Sequence, residues 1–527
     1  MSLAENFRAA GVAVARQVDA PGPRAVFVGL TLVLTALITA AFAGSVVHWT
    51  LAALMAVPLV VVNAAWVSGG AATALVGLGQ GAQPLGSVTP PRGWVPSGRT
   101  AILVTLCKED PEPVAHYLRD LHKALTSLGL DDRTVIFALS DTWGDTAVAR
   151  EEGALRDLVD AGRVQYRRRD ANTGRKPGNI ADWLDRHGDS FDYMMTLDAD
   201  SRMSANRIRR MIRQIETRPR TGLIQAGMGL VPGQSRFGRH QRTAVRLMSS
   251  NFGRGMAAWA GRSGNYWGHN AIMRIAAFRE AAVLPRLAGR PPFGGPLLSH
   301  DFIEAAWIRR AGWAVELDPD LAGSAEDAPQ TLEAFHKRDR RWCQGNLQHL
   351  FVLATPGLHP ISRFHLISGV VSYLAAPIWL LLVILIAVGS IPVTGALPFV
   401  LIAAVLLVPK VCALAERLPR NRTLRRRLVT LRAWIGELAV STVVAPLMMV
   451  RQTGSVLSLL AGRDCGWKSA NPPRWTPPRG VPEALAGVAI LMLSSVYGGG
   501  ATLWLAPLIA PLLVAPVLVR ALDAQPA

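Results

Sequence analysis

Residues 193–204 read YMMTLDADSRMS, and the fold class follows from them. The segment DYMMTL (192–197) is short, apolar at its centre and free of Gly and Pro, as a buried strand is. Two carboxylates, Asp198 and Asp200, stand at i and i+2 just past its end. Upstream, residues 101–106 (AILVTL) and 134–139 (TVIFAL) have the same character, and helix-like segments at 113–128 and 179–187 lie between them. Strand and helix in alternation imply a mostly parallel α/β sheet. Ligands of such sheets sit outside the carboxyl ends of the strands. The acidic residues fall there: Glu109 after the first strand, Asp141 after the second, Asp198 and Asp200 after the third.

The flanks are of another kind. Residues 25–91 contain no Asp, Glu, Lys or Arg, half of the 527 residues are hydrophobic and only 18% are charged. A membrane protein accounts for this better than one large soluble core. Apolar runs at 25–47 and 51–75 are each long enough to cross a hydrocarbon core of ~30 Å. Later runs lie at 366–388, 398–414, 485–504 and 505–519, the last two joined near residues 498–500. The basic stretch 417–427 reads as a cytosolic loop. Residues 433–461 contain Glu437, Pro446 and Arg451 and read as an interfacial or re-entrant helix pair, with a hairpin crossing as the alternative.

The expected organisation is a cytosolic segment 1–24, two transmembrane helices in 25–78, a cytosolic catalytic domain 95–355, two helices in 364–415, a basic cytosolic region 416–482, two helices in 483–520 and a cytosolic tail 521–527. The net charge of +19 is assigned to topogenic arginine and an anionic substrate rather than to nucleic acid. Cys107, Cys343, Cys412 and Cys465 form no CxxC pair, so neither a zinc site nor a disulfide framework is expected. No removable signal peptide is expected at the N-terminus.

The Asp198/Asp200 pair can present oxygens to one Mg²⁺ or Mn²⁺, which prefers oxygen ligands and shares them with substrate phosphates. Alone, the pair reads as a solvated strand-end turn. It is accompanied by Asp141 in SDT (140–142), Lys176 in RKPGN (175–179), Asp301 in SHD (299–301) and the run RDRRW (338–342). Each has a plain structural reading: a helix cap for Asp301, a solvated charge run for Arg338 to Arg341, a core anchor for Trp342.

Their order resembles that of the processive family-2 glycosyltransferases, the superfamily of cellulose and hyaluronan synthases. The stretches NTGRKPGNIADW (172–183), GNYWGHNAIMR (264–274), LSHDFIEAAWIRRAGW (298–313) and KRDRRWCQGNLQHL (337–350) look like the glucans biosynthesis glucosyltransferase H family. The resemblance implies a GT-A-type domain between transmembrane helices, in the bacterial inner membrane with the catalytic domain cytosolic. It implies a hexosyltransferase that inverts UDP-glucose into a β-glucan of the osmoregulated periplasmic type and moves it outward. Asp301 would be the base, and Asp198 and Asp200 the metal ligands. Glu109, Asp141, Lys176, Arg338 and Arg341 would hold the UDP-sugar, and Trp342 and His269 the acceptor. The growing glucan, membrane lipid and periplasmic glucan-processing proteins are the implied partners. Arg338 replaces the Gln of the cellulose synthase pattern, TLCKE (105–109) replaces its usual first-strand motif, and neither a long N-terminal extension nor a C-terminal cyclic-dinucleotide receptor is expected. A non-processive transferase acting on a lipid carrier is the alternative, and a transporter with an inactive nucleotide-binding domain a more distant one.

Overall fold

A computed structural model describes residues 21–80, 89–91, 93–281, 283–465, 479–498 and 501–525. Most of the expected N-terminal segment, most of the Pro- and Trp-rich part of region 416–482, two glycines of the joint near 498–500 and the end of the tail lie outside these residues.

Two apolar helices come first, α1 (Pro21–Ser45) and α2 (Leu51–Gly79), followed by the α/β domain. Its main sheet is built from β1 (Thr100–Leu106), β2 (Thr134–Ser140), β3 (Gln165–Arg168), β4 (Tyr193–Asp198), β6 (Thr221–Ala226), β8 (Ala271–Arg274) and β9 (Ala314–Asp318). The spatial order is β3–β2–β1–β4–β8–β6–β9. All neighbours are parallel except β8, which runs antiparallel to both β4 and β6. The three strands foreseen from the sequence are β1, β2 and β4, one residue longer or shifted. Three short strands, β5 (Arg202–Met203), β7 (Gly229–Leu230) and β10 (Ser324–Glu326), form a second sheet with β10 in the centre.

The period of two in β1 makes two cores. Ile102, Val104 and Leu106 face one side with α3 (Pro111–Ser127), α4 (Asp145–Asp160) and α6 (Ala205–Glu216). Ala101 and Leu103 face the other, against Trp183 of α5 (Arg175–His187) and, through the same cluster, α8 (Ile275–Ala281) and α9 (His300–Arg310). Full burial of each such side chain contributes roughly 1.5–3 kcal/mol, which fixes the strand register. In that register Thr105 sits beside Asp198 and Leu106 beside Ser140. The three strands therefore end level, and their loops open on one edge.

Helix α7 (Arg236–Ala260) seats the domain on the membrane helices. A Cβ on Gly77 of α2 would stand 2.1 Å from the Asn251 carbonyl oxygen, and one on Gly255 only 1.9 Å from that of Thr73. The two backbones touch because neither glycine has a side chain. Gly255→Val should therefore force the helices apart and cost more than the ~1–3 kcal/mol typical of overpacking. An unchanged thermal midpoint of the purified protein in detergent would remove this contact from the account.

Helix α10 (Leu332–Gln348) leads to α11 (Pro360–Ala387), α12 (Leu397–Arg420), α13 (Leu424–Leu460) and α14 (Val481–Tyr497), then α15 (Ala501–Leu513) and α16 (Ala515–Asp523). Among the described residues five helices, α1, α2 and α11 to α13, are long and apolar enough to cross a membrane, or six if the pair α15–α16, bent by 56°, counts as one. Three sequence readings are corrected. The basic stretch 417–427 is not a loop: its arginines end α12 and begin α13, with only residues 421–423 between. Arginine at the end of α12 suits the negative pole of that helix. Residues 433–461 are not two helices but, to Leu460, part of one continuous helix, with Pro446 inside it. Arg451 does not interrupt it, because Glu483 of α14 pairs with the guanidinium and the Leu332 carbonyl accepts from it at 3.3 Å. The last two apolar helices divide at Gly498, so Trp504 opens the second rather than closing the first.

The turns sort into two ends. Val47 N–H donates to the Pro392 carbonyl at 2.8 Å, Thr50 Oγ1 to that of Ser390 at 2.8 Å and Thr394 N–H to that of Ser45 at 2.8 Å. At the other end, Arg254 of α7 pairs with Glu416, and Leu332 N–H donates to the Asp523 carboxylate at 2.8 Å. Both ends of α13 lie on this second side. It starts next to α12's Arg420, and near its close Arg340 Nη2 donates to Ser458 Oγ at 2.9 Å and Gln452 Nε2 to Asp339 Oδ2 at 3.2 Å.

Candidate active site

The level strand ends bring the predicted carboxylates to one edge. Asp198 closes β4, and its Oδ1 accepts from Lys176 and from Thr105 Oγ1 at 3.3 Å. Lys176 reaches it because α5 starts at Gly174 and Arg175, both with positive φ (71° and 55°), which turns the chain back over the sheet. Its ammonium also donates to the Gly268 carbonyl at 2.8 Å, which accepts from Tyr266 Oη at 2.6 Å as well. Gly268 has φ +88°, a left-handed conformation that glycine adopts at no steric cost. Burial opposes the Asp198 charge, but Lys176 and His269 outweigh it and hold the carboxyl at about 2. Burial, then the neighbouring Asp198, push Asp200 up to about 6. Burial depresses His269, but Asp198 and Glu326, whose Oε2 lies 3.4 Å from Nε2, push it up to about 9. Asp200 is thus a carboxylate short of positive charge.

Asp141 is buried, and Arg169 grips both its oxygens, Nε to Oδ1 and Nη2 to Oδ2, each at 2.8 Å. Lys176 lies with Asp198 rather than with Asp141. Glu109 is exposed and its carboxylate accepts from the Cys107 N–H. The Arg169 grip carries a prediction. Arg169→Ala leaves a buried carboxylate unpaired, which typically costs roughly 3–5 kcal/mol. Thermal unfolding should show that loss and recover part of it in Arg169→Ala/Asp141→Asn. A single variant as stable as the parent would mean the pair holds nothing.

On the acceptor side, Ser299 is the N-cap of α9 and Asp301 lies in its first turn, so the capping reading of Asp301 does not hold. A helix start by itself lowers a carboxylate pKa slightly. Burial instead raises that of Asp301, His300 opposing and Glu304 reinforcing that rise. Glu304 is buried and its Oε1 lies 3.1 Å from His300 Nδ1. The run RDRRW (338–342) sets Asp339 between cations in the sequence. It is instead hydrogen-bonded to Tyr373 Oη at 3.1 Å and to Gln452. The Arg338 guanidinium stacks over Trp342, 4.6 Å from the ring centroid, and helps to lower the Asp200 pKa. Arg341 is half-buried and faces Cys465.

A cavity of about 840 Å³ lies against the acceptor side of these groups. Asp301, His269, Glu326 and Trp342 line its domain end, and Ser368, Ser372 and Pro409 line its course between α11 and α12. Trp342 is 44% exposed, a large ring left uncovered at the mouth of a cavity. Sequence reading missed Arg169, Glu326 and Tyr266. Tyr266 lies within a quoted motif, while Arg169 and Glu326 sit among ordinary charged residues and become visible only through their partners.

The sheet and its strand-end carboxylates are those of a GT-A-type glycosyltransferase. Glycosyl transferase family 2 matches residues 103–281, and glycosyl transferase family group 2 matches residues 193–415. The chain is 36% identical to the glucans biosynthesis glucosyltransferase H of Cereibacter sphaeroides, over 86% of this chain and 81% of that one. It is 41% identical to that of Bradyrhizobium diazoefficiens over 71% of this chain and 54% of the other, and 40% identical to that of Xanthomonas euvesicatoria over 70% and 62%. The chain thus spans little more than half the length of some of these relatives. It belongs to the glucans biosynthesis glucosyltransferase H family. The mannosyltransferase PcManGT of Pyrobaculum calidifontis, solved with GDP-Man and Mn²⁺, aligns over 76% of this chain and 98% of that one, with a TM-score of 0.44 and 11% identity.

Proposed function

We propose that this enzyme polymerises a β-glucan backbone from UDP-glucose, with inversion, and passes the product outward through its own membrane helices. The observation that carries the reading is the cavity, which runs from Asp301 and Trp342 in among α11 and α12. A transferase that adds one sugar to a lipid carrier has no need of a path continuing past the acceptor.

In this reading the donor diphosphate lies over the β4 edge. Among the described residues no group of three or more His, Cys, Asp and Glu side chains could hold a metal ion alone. Asp198 and Asp200 suit a cation that completes its shell with phosphate oxygens and water, and the raised Asp200 pKa marks the uncompensated negative charge such a cation balances. A bound Mg²⁺ or Mn²⁺ neutralises the charge on the departing diphosphate. Asp141, fixed by Arg169, and Glu109 flank the nucleoside side, Lys176 and Arg338 the phosphates. Arg341 offsets charge on the leaving diphosphate. The Asp301 carboxylate takes the proton of the acceptor hydroxyl as its oxygen bonds to the anomeric carbon and the bond to the diphosphate breaks, inverting α to β. Trp342 offers a stacking face to the terminal acceptor sugar, and His269 a polar edge.

The membrane reading has α1, α2, α11, α12, α14 and α15–α16 crossing the inner membrane and α13 lying in the cytosolic interface. Support comes from α13, which meets the catalytic-domain side at both ends. Donor competition tests the function: UDP release should be fastest with UDP-glucose and slower with UDP-galactose and UDP-N-acetylglucosamine. A clear preference for the last would overturn the glucan reading.

A further inference from the structure

A second cavity, of about 570 Å³, lies against the small sheet on the far side of the catalytic turn. Its walls are β5, β7 and β10, the turn 321–323 and one face of α7. We infer that it is a binding site for a phosphate-bearing anion, either a phospholipid headgroup or a soluble phosphate compound.

Three observations carry the inference. First, among the described residues its lining includes three arginines, Arg202, Arg242 and Arg246, and no carboxylate. Of the two acids that flank residues 321–325, Asp320 is engaged by Arg210 at 2.7 Å and Arg207 at 3.4 Å, and Glu326 Oε2 lies 3.4 Å from His269 Nε2. Arg242 and Arg246 are four residues apart on one helix, so their like charges face each other, an arrangement that destabilises a helix unless something balances it. Secondly, the guanidinium groups keep donors in reserve. Among the described residues Arg242 uses only Nε, on the Leu230 carbonyl at 3.1 Å, and the exposed Arg246 side chain has no hydrogen bond. Arginine forks match the geometry of phosphate oxygens.

Thirdly, the site is placed where such an anion is met and felt. The backbone carbonyls of Arg246 and Leu247 accept from Arg417 at the end of α12, the level where the apolar helices stop. Arg202 stacks on Tyr117, 5.0 Å from the ring centroid, and donates through Nη1 to the carbonyls of Ala199 at 3.1 Å and Ser201 at 2.8 Å. It therefore ties the pocket to the turn that carries Asp198 and Asp200. Leu230, Val245 and Leu321 line both this pocket and the long cavity, so one thin apolar wall separates them.

The test uses the full chain, the Arg246→Gln variant and the Arg242→Gln/Arg246→Gln variant. In one arm inorganic phosphate is titrated calorimetrically into detergent-purified protein with UDP present to occupy the donor site. In the other, protein from bilayer discs of mixed phosphatidylglycerol and phosphatidylcholine is examined by native mass spectrometry for retained phosphatidylglycerol. The full chain should bind at least one probe about tenfold more tightly than the double variant, the effect of one or two charge-assisted hydrogen bonds, with Arg246→Gln between them. Retention of phosphatidylglycerol alone identifies the headgroup source, and phosphate binding alone the soluble one. Equal binding by all three proteins in both arms overturns the inference. The exposed, unbonded Arg246 side chain keeps the test decisive if the double variant folds poorly.

Discussion

Asp200→Asn is expected to reduce glucosyl transfer by about 10³ or more, because loss of metal-borne charge stabilisation costs several kcal/mol in the transition state. Asp200 is the better probe of the pair. Asp198 is bonded to Lys176 and Thr105, so Asp198→Asn, which should be as inactive, also frees a half-buried lysine. Asp200 has no such partner among the described residues, and its raised pKa comes from burial and from Asp198 itself. Removing its charge relieves a repulsion in the metal-free protein, so the variant should unfold at the same temperature as the parent or above it. Activity lost while stability is kept is the signature of a ligand rather than of a structural turn. The parent should in turn need Mg²⁺ or Mn²⁺ for UDP release, and full turnover in EDTA would refute the metal assignment.

Asp301→Asn is expected to lose ~10²–10⁴ in elongation rate, the usual contribution of a general base, while binding UDP-glucose as the parent does. Fold and level in the membrane should be unchanged, because Ser299 and not Asp301 occupies the cap position of α9. No neighbour can take over: Glu304 is buried against His300, and Asp339 is held by Tyr373 and Gln452. The pH profile gives a second reading. A base must be ionised, and burial moves the Asp301 pKa upward. The acidic limb of kcat/KM should therefore lie above the range of an ordinary carboxylate and vanish in the asparagine variant. Elongation near the parental rate would leave Asp301 without a catalytic part.

The sequence carried the catalytic half of the protein well, because the signals there are local. Strands β1, β2 and β4 announced themselves by apolar runs with the carboxylates close behind, whereas β3, whose four residues read QYRR, left no such trace. Partner choice was not local. Arg169 meets Asp141 across the sheet edge, and Glu326 meets His269 from the second sheet, whose strands of two or three residues leave no periodic trace. The region after residue 400 was the least legible. Proline and charge inside an apolar run read as breaks, yet Arg451 stays helical because Glu483 balances it, and Glu437 because Lys410 Nζ donates to both its oxygens at 2.7 and 2.6 Å. A residue's own identity cannot reveal that its charge is met by a helix many residues away.

The most direct measurement is product analysis after purified membranes containing the protein are incubated with labelled UDP-glucose and Mg²⁺. The account predicts a β-linked glucose polymer, absent when Asp301 is replaced by asparagine. A product consisting of a single glucose on a lipid carrier, or of no transferred glucose at all, would contradict it.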